Sequence, residues 1–272
     1  MSSKAVEPAF HARRFDRAAA SYEASASVQA RMADVLLELC REEAPPANIL
    51  EFGCGTGLLT RKIWKTYRHA KILATDASPR MLHQAAGFFP PQDGRLNFAL
   101  LDAENPKANA LPPPVPPFTL AVSNALTQWF PNLGNHLRYA SSVTDSSGMY
   151  LLSGFARSNF PELNSLLAEP PFSYQKFPGH EPEAFIAALP GTGWELEKIR
   201  SWEEKEILPS ARDVLHRIRD LGSSRDPREG GKMNRNNLEK LLRDYETRFR
   251  VQEGVRLTWR PWAAMLRKTV TR

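Results

Sequence analysis

The stretch Ile49-Leu-Glu-Phe-Gly-Cys-Gly-Thr-Gly-Leu-Leu59 reads as a short apolar strand ending in an acid, three glycines at alternate positions, and the start of a helix. Glycine is needed where a chain turns sharply after a strand and lets a ligand come against bare backbone, so Gly53, Gly55 and Gly57 mark a ligand loop. The spacing separates the ligands. A dinucleotide fingerprint is G-x-G-x-x-G, and a phosphate-binding loop ends in G-K followed by Ser or Thr. This chain has G-x-G-x-G, no lysine behind it, and Glu51 two residues before the first glycine. A carboxylate there repels a pyrophosphate and suits a cofactor bearing an ammonium and a sulfonium, which points to S-adenosylmethionine. For the glycines alone, an ordinary strand-to-helix turn is the competing reading.

Further acids narrow the choice. Lys71-Ile-Leu-Ala-Thr-Asp76 reads as a second strand, and Ser78-Pro79 behind it opens a helix with an N-cap and a first-turn proline. A carboxylate at the end of the second strand of such a βαβ unit reaches ribose hydroxyls. A third strand, Leu96 to Leu101, runs into Asp102, placed to accept from an adenine amino group, with Ala103 and Glu104 after it. A fourth, Phe118 to Ser123, delivers Ser123-Asn124 where ligands sit in open α/β sheets. Any one of these acids alone is more often a helix cap or a solvated loop residue; three at the ends of three successive strands form a pattern.

A chain of 272 residues, 42% hydrophobic and 24% charged, has the composition of an ordinary globular protein. No apolar run approaches the ~20 residues of a membrane span, the N-terminus lacks a signal-peptide pattern, and two cysteines make no disulfide framework, so a cytoplasmic setting is expected. The six histidines show no metal-ligand spacing, and no metal is expected. Residues 210–272 carry 16 Lys/Arg against 8 Asp/Glu, net +8, whereas 1–209 are net −2. Such a patch attracts a polyanion, or is a solvated helix face.

The alternation of strands and helices over residues 48–155 predicts a Rossmann-like, seven-stranded, mostly parallel sheet with helices on both faces. One domain, 1–272, is expected: an N-terminal helical lid (1–45), a core sheet (46–208 and 250–272) and a helical cap (209–249) between the last two strands. Helices are expected at Phe10 to Tyr22 and Val28 to Glu43. The late strands are expected near Trp194 to Leu208 and Val255 to Leu266, and the excursion between them, without strands of its own, holds helices near Ala211 to Leu221 and Asn236 to Arg248. Gly230-Gly231 reads as a hinge or a solvent loop, and Leu111-Pro-Pro-Pro-Val-Pro-Pro as a stiff crossover.

With these motifs in place the chain resembles class I S-adenosylmethionine-dependent methyltransferases. Phe15-Asp-Arg-Ala-Ala-Ala-Ser-Tyr22, Gln29, Met32-Ala33, Ser123-Asn124-Ala-Leu-Thr-Gln128-Trp129, Phe160-Pro-Glu-Leu, Leu215-His-Arg-Ile-Arg-Asp-Leu-Gly and Leu257-Thr-Trp make it similar to the malonyl-acyl-carrier-protein O-methyltransferases of biotin synthesis over nearly its whole length. The resemblance implies methyl transfer to the free carboxyl of a malonyl thioester, with an acidic acyl carrier protein as partner and neither nucleic acid nor membrane; it leaves the oligomeric state open. A carboxylate is already ionised at pH 7, so no general base is needed. Tyr22 is the expected substrate-positioning donor, with Gln128, Trp129 and Phe177 around the methyl group and acyl pocket. Gln29, Glu51, Gly53, Gly55, Gly57, Asp76, Ala77, Asp102, Ala103, Ser123 and Asn124 are the expected cofactor set. Packing remains the competing role for Tyr22 and Trp129. A methyltransferase for another small carboxylate or a quinone precursor, and a non-catalytic cofactor-binding module, are alternative readings; a nucleic-acid methyltransferase is disfavoured because Ser123-Asn124-Ala-Leu lacks the strand tip that stacks a flipped base.

Overall fold

A computed structural model describes residues 26–91, 93–104, 111, 117–172, 177, 179–220 and 234–269. The chain enters through α1 (Ser27–Leu39), whose Val28, Met32, Val35 and Leu36 recur at helical spacing and are buried. It stops short of the expected Glu43, ahead of Pro45-Pro46, which favour an extended chain. Lys198 Nζ donates to Leu39 O at 3.0 Å and caps its end. Then follow β1 (Asn48–Phe52), α2 (Leu58–Thr66), β2 (Lys71–Asp76), α3 (Pro79–Ala86), β3 (Leu96–Leu100) and β4 (Phe118–Ser123). As read from Ser78-Pro79, the Ser78 hydroxyl accepts from Met81 N and Pro79 opens α3. A short 3-10 turn (Thr127–Trp129) leads into α4 (Leu133–Val143) and β5 (Thr144–Phe155).

The second half adds α5 (Pro161–Leu167), α6 (Pro182–Ala187), β6 (Trp194–Ser201), β7 (Glu204–Leu208), α7 (Ala211–Asp220), α8 (Arg235–Phe249), β8 (Arg250–Val251), β9 (Gly254–Trp259) and β10 (Pro261–Lys268). The main sheet runs β3-β2-β1-β4-β5-β10-β6, parallel except for β10, which pairs antiparallel with both neighbours. Ile49, Leu50 and Phe52 of β1 are fully buried because helices cover both faces. Residues of α1, α2 and α3 pack on one side, and residues of α4 and α6 on the other.

The late strands differ from the expectation. Each of the two segments read as continuous is broken in two at the same height, around Trp202–Glu203 in one and Arg260 in the other. Pro261 has no N–H to offer and stands at the first position of β10. The halves beyond the break, β7 and β9, join β8 in a separate three-stranded antiparallel sheet. The excursion between β7 and β9, read as strandless, carries one short strand, β8, beside α7 and α8. Its apolar side meets α5 and the start of α1 in a cluster that includes Val28, Met32, Leu163, Val214, Tyr245 and Trp259.

Glu162 locks α5 to that sheet. Its carboxylate, 3% exposed, accepts from Arg256 Nε (2.9 Å), Thr258 Oγ1 (2.6 Å) and Thr258 N (3.1 Å). Glu162→Ala should strip a buried backbone N–H and a hydroxyl of their acceptor and cost about 2 kcal/mol, half-exposed Arg256 adding little. Urea denaturation measures this, and an unchanged midpoint would show that α5 is held by apolar contacts alone.

Candidate functional site

Strand register gathers the sequence-predicted residues at one edge. Phe52 pairs with Thr75 on one side and Ser123 on the other, and Asp76 pairs with Leu100. Gly53, Asp76, Asp102 and Asn124 thus leave the sheet together at the carboxyl ends of adjacent strands. The strand order runs outward from β1 in both directions, which makes the gap between β1 and β4 the topological switch point.

The three glycines do different work. All have positive φ, +64° at Gly53, +55° at Gly55 and +84° at Gly57. A Cβ on Gly53 would come within 2.7 Å of the Leu126 side chain, and one on Gly57 within 3.2 Å of Ala85 Cβ. Those two serve the turn and its packing. Beside Gly55 nothing described lies within 4 Å of such a Cβ, so Gly55 is where a ligand can meet bare backbone. Its N–H donates to Asp76 Oδ2 at 2.9 Å, while Asp76 Oδ1 accepts from Ser78 N at 2.8 Å. Asp76 thereby ties the end of β2 to the apex of the loop. Ala77 beside it is half-buried, Ala103 is buried, and Asp102 Oδ1 accepts from Glu104 N at 3.0 Å.

Glu51, the last residue but one of β1, is only 1% exposed, and among the described residues its Oε2 has no hydrogen-bond partner. Burial pushes its carboxyl from 4.5 up to about 8, and the neighbouring Asp76 charge adds to the rise. Gln29 Oε1 and Gln128 Oε1 are likewise buried acceptors without partners. Both residues are also tied to the tip of β4 and the turn behind it. Gln29 O accepts from Asn124 Nδ2 at 2.9 Å, and Gln128 Nε2 donates to Ala125 O at 2.6 Å. Asn124 Oδ1 accepts from Ser153 Oγ (2.8 Å), which itself accepts from Ala125 N (2.9 Å). This bracket holds Ala125 at φ +53°, a left-handed conformation that costs a non-glycine residue energy. It also fastens α1 to the tip of β4.

Three buried acceptors without donors are what a cationic, donor-bearing ligand supplies for. The residues present therefore fit S-adenosylmethionine, whose ammonium and sulfonium bring positive charge and whose ribose and adenine bring donors.

Other expected residues lie differently. The Ser123 hydroxyl is fully buried and shares a 2.9 Å hydrogen bond with Tyr150 OH, which lies 2.6 Å from His136 Nε2. Ser123 therefore faces the core with its side chain. Trp129 is half-buried at the end of the 3-10 turn. Phe177 is buried edge-on against Phe160 (4.9 Å), which meets Trp259 at 4.6 Å, in the cluster that also contains Met32 and Ala125. Tyr22 lies outside the described residues. Among the described residues no group of His, Cys, Asp and Glu is arranged to hold a metal, and no helix is long and apolar enough to cross a membrane. Sequence reasoning missed Ser153, Tyr150 and His136, because single polar residues inside apolar strands and helices carry no spacing signal.

Residues 49–148 match the family model described as a methyltransferase domain. A malonyl-acyl-carrier-protein O-methyltransferase of Brevibacillus brevis is 30% identical over 261 residues, covering 90% of this chain and 91% of that protein. One from Acetivibrio thermocellus is 29% identical over 266 residues, covering 90% and 88%. Among solved structures, magnesium protoporphyrin IX methyltransferase from Synechocystis (TM-score 0.53, 13% identity, 89% of this chain and 83% of that one) and the cyclase SpnF (TM-score 0.56, 17% identity, 89% and 82%) share the fold. A methyltransferase and a cyclase on one fold show that architecture alone does not fix the chemistry.

The raised carboxyl of Glu51 has a thermodynamic consequence. A group whose folded pKa lies above its unfolded value contributes stability that is full below the unfolded pKa and is lost as pH rises through the folded one, here from 4.5 to about 8. Glu51→Gln should remove that loss and stabilise the ligand-free protein at pH 8 by on the order of a few kcal/mol, with little effect at pH 5. The same substitution should weaken binding of a cationic ligand. Thermal melts at the two pH values, with and without S-adenosylhomocysteine and S-adenosylmethionine, measure both; equal melting temperatures for both proteins at pH 8 would show that Glu51 is not buried as an acid.

Proposed function

The chain belongs to the malonyl-acyl-carrier-protein O-methyltransferases, and we propose that it moves a methyl group from S-adenosylmethionine to the free carboxyl of a malonyl thioester on acyl carrier protein. The ester hides a charge, so that the acyl group can be elongated toward pimeloyl for biotin. The observation that carries this reading is the extent of the likeness: it runs over 90% of the chain, far beyond the 49–148 segment common to methyltransferases.

When bound, the cofactor supplies a methyl group made electrophilic by its sulfonium. Glu51, Gln29 and Gln128 would hold its charged end through their unpaired oxygens, Asp76 its ribose, and Asp102 and Ala103 its adenine. Holding a cation lowers the cost of ionising Glu51, so Glu51 gives up its proton as the site fills. The substrate carboxylate is ionised at neutral pH and needs no base; the protein's work is to align its oxygen and to exclude water. Tyr22 donates to that carboxylate, and Trp129 and Phe177 close the apolar side. Incubation with S-adenosylmethionine and malonyl-carrier protein should add the mass of one methyl group to the carrier, and an unchanged carrier would overturn the reading. Tyr22→Phe should lower kcat while leaving cofactor affinity nearly unchanged; equal kcat would return Tyr22 to packing.

The positive C-terminal region suits an acidic carrier, although much of its charge is already paired. Arg217 is bound to Glu206, Lys240 to Asp244, Arg248 to Glu169 and Arg250 to Glu246. Arg212 and Arg243 are exposed on α7 and α8 and make no salt bridge among the described residues. Reversing these two to Glu should raise KM for the carrier-bound substrate more than for malonyl-coenzyme A, and the difference should shrink with salt as charges become screened over ~8 Å. Undiminished preference for the carrier would place its docking elsewhere.

A further inference from the structure

Beneath the carboxyl edge lies a buried relay that the reaction does not use. His136 of α4 is 2% exposed. Its Nδ1 is 3.1 Å from Ala103 O, its Nε2 2.6 Å from Tyr150 OH, and Tyr150 OH is 2.9 Å from Ser123 Oγ. The directions follow from proton count. A carbonyl only accepts, so Nδ1 carries the hydrogen; the ring is neutral, burial holding it down at about 4, so Nε2 accepts from Tyr150; the phenol's one proton is then spent, so Ser123 donates to it. The ring's remaining surface is also engaged. Phe130 stacks on it at 4.1 Å and 14°, and Phe52 meets it edge-on at 5.1 Å.

Each of these partners adjoins a different segment of the site. Phe52 precedes Gly53, Ala103 follows Asp102, Ser123 precedes Asn124, and Phe130 follows Trp129. We propose that His136 is a positioning residue that fixes the mutual arrangement of the glycine loop, the Asp102 loop, the Asn124 tip and the Gln128–Trp129 turn. This rests on the reading that the carboxyl edge binds S-adenosylmethionine. No other side chain fills the role completely. Phenylalanine keeps the ring contacts but takes the donor from Ala103 O and the acceptor from the Tyr150 hydroxyl, which is left with Ser123 alone, whereas glutamine offers a donor and an acceptor without the stacking. Because both ring nitrogens are occupied, His136 acts only through the segments it holds.

The test uses the full chain with His136→Phe, His136→Gln and Tyr150→Phe, the last removing only the phenolic oxygen should the first fail to fold. Amide hydrogen exchange in the ligand-free proteins reads the arrangement without any ligand, and calorimetry with S-adenosylhomocysteine reads its consequence. His136→Phe and Tyr150→Phe should speed exchange in all four segments, including those remote in sequence from the substitution, and weaken binding by about ten-fold. His136→Gln should recover most of the lost affinity, which a purely space-filling role would not allow. Unchanged exchange and affinity in the folded variants would overturn the proposal. A wild type that fails to bind while the variants still loosen all four segments would instead remove the cofactor reading and leave the positioning role standing.

Discussion

An acid buried at the end of the central strand is the constraint on which the site depends. Glu51 lies between β2 and β4, under a loop it cannot leave, and the fold holds its Oε2 there without a hydrogen-bond partner among the described residues. A chain selected only for stability would put an apolar residue or a paired acid in that place. The cost is tolerable because the rest of the edge is tightly determined. Strands on both sides fix the backbone, glycines with positive φ fix the loop, and Asp76 pins the loop's apex through Gly55. Rigidity around one unsatisfied carboxyl gives a preformed place for positive charge, instead of a mobile acid that would find its own solvent.

The polar groups at this edge divide into two layers. Those above, on Gln29, Glu51 and Gln128, are buried acceptors without donors. Those beneath, on Ser123, Tyr150, His136, Asn124 and Ser153, are paired with one another or with backbone at 2.6 to 3.1 Å. The second layer lets the first exist, since buried acceptors keep their aim only if the segments that carry them cannot relax. The strained Ala125 is held in the same way: it donates its N–H to Ser153 and accepts from Gln128, and the turn behind it places Gln128.

The sheet and the glycine loop were legible because both rest on local chemistry. Apolar runs closed by acids, glycines at alternate positions and the Ser78-Pro79 cap state their structural reasons within a few residues. The direction of the Ser123 side chain was not legible for a physical reason: a residue at a strand end can turn its side chain to either face, and Tyr150, 27 positions later, decided which. The breaks at Trp202–Glu203 and Arg260 were hidden because each lies inside a stretch rich in strand-forming residues, and only the pairing of two distant segments shows that they kink together. The charge surplus beyond residue 210 was visible, but its partial neutralisation by Glu169 and Glu206, from outside that segment, is tertiary. His136 looked like one of six uninformative histidines because its partners come from four separate stretches of chain.

The chemistry of a carboxyl acceptor makes sense of the kind of histidine found here. A phenol or amine substrate has to lose a proton, and a histidine with one free nitrogen near neutrality would serve it. His136 has neither property: both nitrogens are engaged, and burial keeps the ring neutral far below pH 7. Phe177, Phe160 and Trp259 pack edge to face where α1, α5 and the small sheet converge, and they bring no proton-transfer group there either. A site built in this way contributes alignment and dryness and moves no substrate proton. That matches a nucleophile which arrives already ionised, for which a buried edge rich in unpaired acceptors is sufficient.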